Sequence, residues 1–227
     1  MEICFVLVEP AVPENIGAAA RAINTMGFKE LRLVKPADHL SNPAKWLAHG
    51  SVDILQDAQI FDQFKAAIED LDFVIGTTAK RRSIRHDYYS PERAKALLQE
   101  KGNSIFKVGI VFGREESGLK NDELALCDIA SSIPLNNPYP SINLAQSIML
   151  YSYIFSSLHF EDKRQSSSPN DRLFVELKDE ARSIMSEIGI QADSILFGRI
   201  MERLAVANED DARLFLSFAK KFNNKFE

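Results

Sequence analysis

Short apolar runs alternate with longer segments of helical spacing over the first part of this 227-residue chain. A continuous apolar run between polar turns predicts a strand that is buried on both faces of a sheet. The runs cover residues 3–8, 31–34, 72–76, 107–112 and 129–133. Because helical segments separate them, the pattern predicts an α/β fold with a mostly parallel sheet and helices on both faces.

The segment after the first run, PENIGAAARAINTMGF, predicts a helix with recognisable ends. Asn15 is the candidate N-cap and Gly27 is a natural stop. Further along, DILQDAQIF at residues 53–61 predicts a strand, and DQFKAAIEDL at residues 62–71 predicts a helix. These signals set the element boundaries that we expect in the first half of the chain.

The pattern changes after residue 160. The segment EDKRQSSSPND has the charge, serine and proline content of a linker, and three amphipathic helices without strand signals are predicted beyond it. We therefore predict a main domain over residues 1–160, a linker over 161–170 and a helical C-terminal extension over 171–227. The extension is too short to bury a large core alone, so we expect it to dock on the main domain or on a second subunit.

Composition and charge narrow the functional classes. The net charge is -5 and the pI is near 5.5, so any RNA contact must use a local basic patch rather than an overall basic field. Cys4 and Cys127 lie in apolar surroundings without zinc-ligand spacing, which predicts reduced thiols in the cytoplasm and no metal site. The N-terminus lacks the basic region of a secretory signal and no segment has the length of a membrane span, so we expect no membrane partner.

Four loops follow predicted strand ends, and ligands of an open α/β sheet bind at the carboxyl ends of its strands. The first loop leads into the helix that carries Asn15, Gly17 and Arg21. Gly17 and Arg21 share a helix face, so the missing side chain at Gly17 leaves room beside the guanidinium. Arg21 is thus a candidate ligand-binding residue, and a solvated helix arginine is the alternative.

The second loop holds the strongest local basic cluster of this acidic chain, beside Tyr88 and Tyr89. RNA contact through charge and base stacking is one interpretation, and an ordinary solvated loop is the other. The candidate RNA-binding residues are Lys80, Arg81, Arg82 and Arg85.

The third loop, GREESGL at residues 113–119, has glycines that let the backbone approach a ligand and acidic side chains that can anchor the loop. No GK[ST] follows it, the chain has no GxGxxG, and Ser117 lacks the GxSxG context. A phosphate cradle and a hydrolase nucleophile are therefore disfavoured.

The fourth loop precedes the last helix of the main domain, and three prolines hold it in an open conformation. Ser141 and Asn143 stand at the start of that helix, where free N–H groups and short polar side chains can face a ligand. A capped helix after a loop is the plain alternative. The helix has apolar positions on more than one narrow stripe, which predicts a dimer face.

Taken together, the loops resemble the SpoU (TrmH-like) family of SPOUT RNA 2′-O-methyltransferases, and within it the TrmJ/LasT-like branch. Three motifs carry the resemblance in order over residues 1–158: Asn15-x-Gly17-x-x-x-Arg21 with Met26-Gly27-Phe28, then Phe112-Gly113-Arg114-Glu115-x-x-Gly118-Leu119, then Ile133-Pro134 through Ser141-Ile142-Asn143-Leu144. The resemblance implies a C-terminal trefoil knot, a homodimer, S-adenosylmethionine as methyl donor and RNA as substrate. The default target is an anticodon-loop cytidine or uridine of tRNA, with rRNA open.

The resemblance also assigns site residues. It implies a cofactor pocket built from Thr77, Thr78, Ala79, Gly113, Ile133, Ser141, Ile142 and Leu144. It implies a catalytic group consisting of Arg21, Asn15, Glu115, Ser141 and Asn143, with the arginine reaching a cofactor in the other subunit.

The implied chemistry needs a ribose 2′-hydroxyl to attack a methyl group on a sulfonium and to lose its proton. Arg21 is an awkward base, because a guanidinium stays protonated well above neutral pH. We expect Arg21 to bind the neighbouring phosphate and stabilise the developing alkoxide, while a phosphate oxygen or water takes the proton. Ser141 and Asn143 would orient the hydroxyl or the cofactor, and Glu115 would hold its loop.

Two other functions remain as alternatives. One is an RNA-binding member of the same fold without catalysis, acting as a chaperone or assembly factor. The other is an unrelated nucleotide-binding α/β enzyme, against which the absence of both glycine fingerprints counts.

Overall fold

The fold is described from a computed structural model that covers residues 1–80, 82–85, 87–136, 142–161 and 173–226. The predicted site residues Arg81 and Ser141 and most of the predicted linker lie outside these ranges. Seven parallel strands form one sheet in the order β3-β2-β1-β6-β4-β7-β5. They are β1 Glu2–Val8, β2 Glu30–Val34, β3 Gln59–Phe61, β4 Phe73–Thr77, β5 Tyr88–Tyr89, β6 Lys107–Phe112 and β7 Ile129–Ser131.

Helices cover both faces of the sheet, as the pattern predicts. Alternate strand residues point to opposite faces, so Phe5 joins one core with Leu33 and Ile110, whereas Val6 joins a second core with Val111. The helices of the main domain are α1 Pro13–Thr25, α2 Asn42–Ala48, α3 Val52–Gln56, α4 Phe64–Ile68, α5 Pro91–Lys101, α6 Asn121–Ala125 and α7 Leu144–Glu161. Residues of α4 and α6 bury their apolar side chains in the second core, and those of α1, α5 and α7 in the first.

Two local predictions are wrong. Residues 53–56 belong to α3, in which the consecutive residues Ile54 and Leu55 are both buried rather than alternating as on a half-buried strand, and the strand is confined to the edge strand β3. Asn15 is not the N-cap of α1, because Pro13 occupies the first turn and Val12 takes the cap position; proline is favoured there since its missing N–H has no intrahelical partner. Gly27 has φ +86 directly after the helix, which confirms it as the stop.

The C-terminal extension forms α8 Leu173–Glu187, α9 Ile195–Ala205 and α10 Glu209–Phe226, and it docks on the main domain of the same chain. Lys178 of α8 donates hydrogen bonds to the Asp72 carbonyl at 2.8 Å and to the Asp128 carboxylate at 3.0 Å. Lys101 of α5 places its Nζ 3.5 Å from the ring centroid of Phe174 and donates to the Ala207 carbonyl. Buried polar contacts therefore accompany the apolar docking surface.

Within the described ranges, no helix combines the length and apolar character needed to cross a membrane. In that same part of the chain, His, Cys, Asp and Glu side chains form no cluster of three or more that could hold a metal ion.

Candidate functional site

The carboxyl ends of β1, β6, β4 and β7 meet at one edge of the sheet, because neighbouring strands are parallel. A cavity of about 670 Å³ opens beside them, formed by the loops after β4, β6 and β7 and by the first turns of α7. This volume lies within the range of small-molecule pockets in proteins. The structure thus brings three of the four predicted loops around one cavity.

The cavity collects the residues that the resemblance assigns to the cofactor. All seven that fall in the described ranges lie on its wall: Thr77, Thr78, Ala79, Gly113, Ile133, Ile142 and Leu144. Ser141, the eighth, lies outside those ranges. The wall therefore combines apolar side chains from the β7–α7 segment with backbone and hydroxyl groups from the other two loops.

The loop after β4 is held against its neighbouring strands by hydrogen bonds. The hydroxyl of Thr77 donates to the Val111 carbonyl at 2.8 Å, and the Thr78 N–H donates to the Ser131 carbonyl at 3.0 Å. The Thr78 hydroxyl donates to the carbonyl of Lys80 at 2.8 Å, which tightens the turn. These contacts set the position of the backbone on this side of the cavity.

The GREESGL loop folds back on itself as a tight hairpin. Arg114 and Gly118 exchange backbone hydrogen bonds, and Gly118 has φ +67, a conformation that favours glycine. A Cβ atom at Gly113 would stand 2.1 Å from the Gly118 carbonyl carbon. Glycine at these two positions therefore allows the loop to close, and Gly113 keeps backbone exposed to the cavity.

Arg114 clamps this loop to the protein through two carboxylates. Its Nη1 donates to Glu123 Oε2 and its Nη2 donates to Glu123 Oε1, both at 2.9 Å. Its Nε donates to Glu9 Oε2 at 2.8 Å. The hydrogen bonds that Arg114 donates to Glu123 and Glu9 raise the pKa of Arg114, and the one to Glu9 lowers the pKa of Glu9. The sequence places Arg114 in a motif, but neither partner carries a signal that would identify the clamp.

Glu115 joins the second motif to the first. Its Oε2 accepts a hydrogen bond from the Ala11 N–H at 3.1 Å, and its Oε1 accepts from the Val12 N–H at 3.3 Å and from Asn15 Nδ2 at 3.2 Å. The carboxylate thus satisfies free N–H groups at the start of α1, where negative charge is favourable.

Asn15 in turn joins the first motif to the third. Its Oδ1 accepts a hydrogen bond from Asn143 Nδ2 at 2.9 Å. Asn143 Oδ1 accepts from the Ala145 N–H at 2.9 Å, so Asn143 caps α7 with one end of its amide and holds Asn15 with the other. Glu115, Asn15 and Asn143 form a continuous hydrogen-bonded relay beside the cavity, which we call the motif relay.

The floor of the cavity includes Tyr151 of α7, which is fully buried. Its hydroxyl donates to Ser131 Oγ at 2.8 Å, and Ser131 Oγ donates to the Tyr89 carbonyl at 3.0 Å. Burial raises the pKa of Tyr151. Tyr151 is therefore a neutral hydrogen-bond donor at neutral pH rather than a candidate base.

Arg21 lies away from this cavity. It is exposed on α1 and is not part of the cavity wall formed by the described residues of its own chain. The expectation that Gly17 makes room for its guanidinium is wrong, because a Cβ at Gly17 would meet the Ala44 carbonyl oxygen at 1.9 Å. Gly17 instead permits the close approach of α2 to α1.

The predicted basic cluster separates into different environments. Lys80 is exposed at the cavity wall. Arg82 is half-buried and donates to the Ser117 carbonyl at 2.8 Å and to Asn121 Oδ1 at 3.2 Å, so it bridges two loops of the site. Arg81 lies outside the described residues.

Arg85 corrects the prediction of an exposed RNA contact. Its side chain is buried, donates to the carbonyls of Leu124 and Cys127, and pairs with Glu202 of α9. The extension supplies Glu202 as its ionic partner, which the local run of basic residues could not indicate.

Comparisons with known proteins agree with this architecture. The family described as SpoU rRNA methylase matches residues 2–153 of the chain. LasT of Escherichia coli, described as an uncharacterized tRNA/rRNA methyltransferase, is 36% identical over 214 residues, which cover 94% of each chain. The tRNA (cytidine-2′-O-)-methyltransferase TrmJ of Methanocaldococcus jannaschii is 32% identical over 230 residues, which cover 95% of this chain and 98% of the relative.

Similarity to a solved structure extends over the whole chain. The crystal structure of TrmJ from Z. mobilis ZM4 covers 98% of this chain and 100% of its own, with 27% sequence identity and a TM-score of 0.69. The similarity therefore includes the helical extension as well as the sheet and its loops.

Proposed function

We propose, because this chain belongs to the SpoU rRNA methylase family, that it transfers a methyl group from S-adenosylmethionine to a ribose 2′-hydroxyl of RNA. One observation carries the proposal beyond family membership. The motif relay of Glu115, Asn15 and Asn143 ties three distant segments together beside a cavity whose wall contains the residues expected for the cofactor. These contacts support a site that is built from all three motifs.

The cavity fits the proposed methyl donor in size and in chemistry. Ile133, Ile142 and Leu144 give it an apolar side that suits an adenine ring. Backbone groups at Gly113 and Thr78 and the carboxylate of Glu116 give it polar groups that suit the ribose and the ammonium of the methionine part. S-adenosylmethionine supplies an electrophilic methyl group on a sulfonium when it is bound.

The chain's own residues would position the reaction. Glu115, Asn15 and Asn143 hold the loops around the cavity and satisfy one another's hydrogen bonds, so we assign them a positioning role. Asn143 uses one N–H of its amide for Asn15 and its Oδ1 for the Ala145 N–H, and its second N–H would be the group that orients the hydroxyl or the cofactor.

We assign the RNA-facing role to Arg21. A guanidinium binds phosphate oxygens in a bidentate manner and stays charged, so Arg21 would hold the phosphate beside the target ribose and stabilise the developing alkoxide. A phosphate oxygen or water would take the hydroxyl proton. Lys80, at the open wall of the cavity, would add a contact to the RNA backbone.

We propose a homodimer, and the position of Arg21 supports it. Since Arg21 is exposed on α1 and absent from the described wall of its own cavity, we propose that it serves the cavity of a partner protomer. Helix α7 packs against α1 and buries one face in its own chain, yet it exposes Leu150 and Tyr153 on another. This second apolar face is the proposed dimer contact.

We also propose that the chain carries a trefoil knot. β7 lies between β4 and β5 in the sheet, although β4 and β5 are consecutive along the chain. This strand order supports a path in which the segment after β7 passes through the loop that joins β4 to β5; few other folds thread a loop in this way. An experimental electron-density map that traces residues 132–144 outside that loop would exclude the knot.

The proposed substrate is tRNA, with rRNA as the second choice. Relatives named tRNA (cytidine-2′-O-)- and tRNA (cytidine/uridine-2′-O-)-methyltransferase TrmJ support a cytidine or uridine of tRNA, and we propose one in the anticodon loop as the first target to test. The free, buried thiols Cys4 and Cys127 are consistent with the reducing cytoplasm, where we place the reaction.

Transfer of a labelled methyl group tests the function. The purified chain is incubated with labelled S-adenosylmethionine and with total tRNA or rRNA, and the modified nucleotide is mapped. We expect label on a ribose 2′-oxygen of tRNA. Calorimetry gives the companion result: binding of S-adenosylmethionine without transfer to either RNA would favour a non-catalytic RNA-binding function, and no binding at millimolar concentration would exclude the proposal.

A further inference from the structure

Helix α9 of the extension contacts the loop that joins β4 to β5 through an ionic network that is buried at one end and partly exposed at the other. Glu202 Oε1 lies 3.4 Å from Arg85 Nη1, and Glu202 Oε2 lies 3.3 Å from Arg199 Nη1. Arg199 Nη1 also lies 3.4 Å from Asp87 Oδ2. Two residues of the loop and two of α9 therefore alternate in charge, and Glu202 stands at the centre.

Arg85 is the buried end of this network. Its guanidinium donates to the carbonyls of Leu124, Ala125 and Cys127 around the C-terminus of α6, where a cation is favourable. Carbonyl dipoles solvate the guanidinium but do not neutralise it. Glu202, itself buried, is the carboxylate paired with it within the described ranges.

The same loop forms a wall of the cavity a few residues earlier. Thr78, Ala79, Lys80 and Arg82 line the cavity, and Arg82 extends across to the Ser117 carbonyl of the GREESGL loop. The Arg85 N–H donates to the Arg82 carbonyl at 3.2 Å. Arg85 is thus linked through one turn to Arg82, which lies in the β4–β5 loop and contacts the GREESGL loop of the cavity.

We propose that Glu202, on helix α9 of the C-terminal extension, is a positioning residue for the S-adenosylmethionine cavity. By pairing with Arg85 and Arg199, it fixes the β4–β5 loop that forms one wall of that cavity. The inference rests on the proposed cofactor function of the cavity. It assigns the extension a role in cofactor binding within its own chain, distinct from any contact with RNA or with a second subunit.

Loss of the carboxylate charge should weaken cofactor binding without changing the reacting groups. In Glu202→Gln the buried guanidinium keeps its carbonyl partners but loses its counter-ion, so the loop is expected to leave its position more often. We expect the Kd and KM for S-adenosylmethionine to rise about tenfold, and kcat at saturating cofactor to stay within about twofold of wild type, since binding carries the effect. Hydrogen exchange should accelerate at residues 82–90 and stay unchanged in β1.

Two further variants test whether the charge of the network is responsible for the effect. Glu202→Asp keeps the charge and should retain most of the affinity, and Arg199→Gln, at a partly exposed position, should raise the Kd by a smaller factor of about three. Glu176→Gln is the matched control, because Glu176 pairs with Lys220 at 3.0 Å on the exposed side of the same extension. The control should bind the cofactor like wild type.

The outcomes distinguish this inference from the proposed function. If wild type binds S-adenosylmethionine and folded Glu202→Gln binds it equally well, the positioning role is wrong and the function stands. A larger loss in Glu202→Asp than in Glu202→Gln would also overturn it, because Gln keeps the size of the side chain and Asp keeps its charge, so packing rather than charge would then be responsible. If Glu202→Gln does not fold, an unchanged Kd in Arg199→Gln decides against the inference. No binding by wild type removes the function itself.

Discussion

Asn15 and Asn143 lie 128 positions apart in the chain, and the Nδ2 of Asn143 donates a hydrogen bond of 2.9 Å to the Oδ1 of Asn15. This contact places the start of α1 beside the start of α7 at the carboxyl edge of the sheet. Glu115 completes the relay from the loop after β6. Three segments that are remote in sequence therefore depend on one another for their positions around the cavity.

Removal of the relay should affect cofactor binding more than stability. In Asn143→Ala the cap of α7 and the bond to Asn15 are both lost, and we expect a loss of about 1 kcal/mol in unfolding free energy and a Kd for S-adenosylmethionine raised about tenfold. Asn208→Ala is the matched control, because Asn208 Oδ1 caps α10 by accepting from the Asp211 N–H at 2.8 Å. Denaturation and calorimetry measure the two effects, and equal Kd values for the two variants would contradict the prediction.

Replacing the clamp arginine should destabilise the chain. Arg114→Lys keeps the charge but cannot bind Glu123 and Glu9 with a planar fork, and Glu123 is buried. We expect a loss of about 2 kcal/mol in unfolding free energy. Arg213→Lys, in an exposed pair with Glu209, should change it by less than about 0.5 kcal/mol. Urea denaturation measures both, and a loss as small in Arg114→Lys as in the control would refute a structural clamp.

Arg21 should act on the partner's cavity if the proposed dimer forms. Arg21→Ala and the cavity-filling variant Ala79→Trp are each expected to be inactive in methyl transfer. A heterodimer of the two contains one site with an intact cavity and an intact arginine. After subunit exchange in an equal mixture, about a quarter of the wild-type activity should return.

The mixture has a simple control. Each variant mixed with itself must remain inactive after the same exchange treatment. An inactive mixture whose heterodimers are demonstrated by mass spectrometry would show that Arg21 does not act across the interface.

The second face of α7 should be the dimer contact. Tyr153 is 67% exposed there, and Tyr153→Glu is expected to yield monomers at micromolar concentration because it places a charge in an apolar interface. Phe218→Glu is a matched control on α10, where Phe218 is also 67% exposed. Sedimentation velocity distinguishes the species. If Phe218→Glu were monomeric and Tyr153→Glu stayed dimeric, the dimer interface would lie on the extension instead of on α7.

Lys101 should make stability depend on pH. Burial lowers the pKa of Lys101 from 10.5 to about 7. Between these values the unfolded chain binds a proton that the folded chain has released, so the unfolding free energy rises with pH by at most about 1.4 kcal/mol per unit. Below pH 7 both states are protonated and this contribution is constant.

Lys101→Met isolates the effect, because it removes the titrating group and keeps an unbranched side chain in the same space. Chemical denaturation between pH 7 and 8.5 should show a steeper rise for wild type than for the variant. The window avoids higher pH, where burial of Cys4 and Cys127 raises their thiol pKa values and opposes the trend. Identical slopes would mean that Lys101 stays charged over its aromatic neighbours.

Much of the fold and of the cavity follows from local sequence pattern. Short, mostly apolar runs predict buried parallel strands, because both faces of such a strand must exclude water, and the structure has strands at all five runs. Gly27 predicts the end of α1 through its freedom to adopt positive φ. The motif residues of three loops line one cavity because parallel strands bring their carboxyl ends to the same edge.

The tertiary structure alone decided the partners of the charged and polar side chains. Arg85 resembles its basic neighbours in sequence, yet it is buried and pairs with Glu202, 117 positions away. Asn15 is a residue type that is favoured at helix N-caps, yet its side chain is hydrogen-bonded to Glu115 and Asn143 instead. Short-range pattern records local backbone preference and burial, whereas an ion pair or amide contact depends on which distant segment the topology brings within about 3 Å. Sequence by itself therefore determined the sheet and the site loops, and only the packing of remote segments decided how those loops are held.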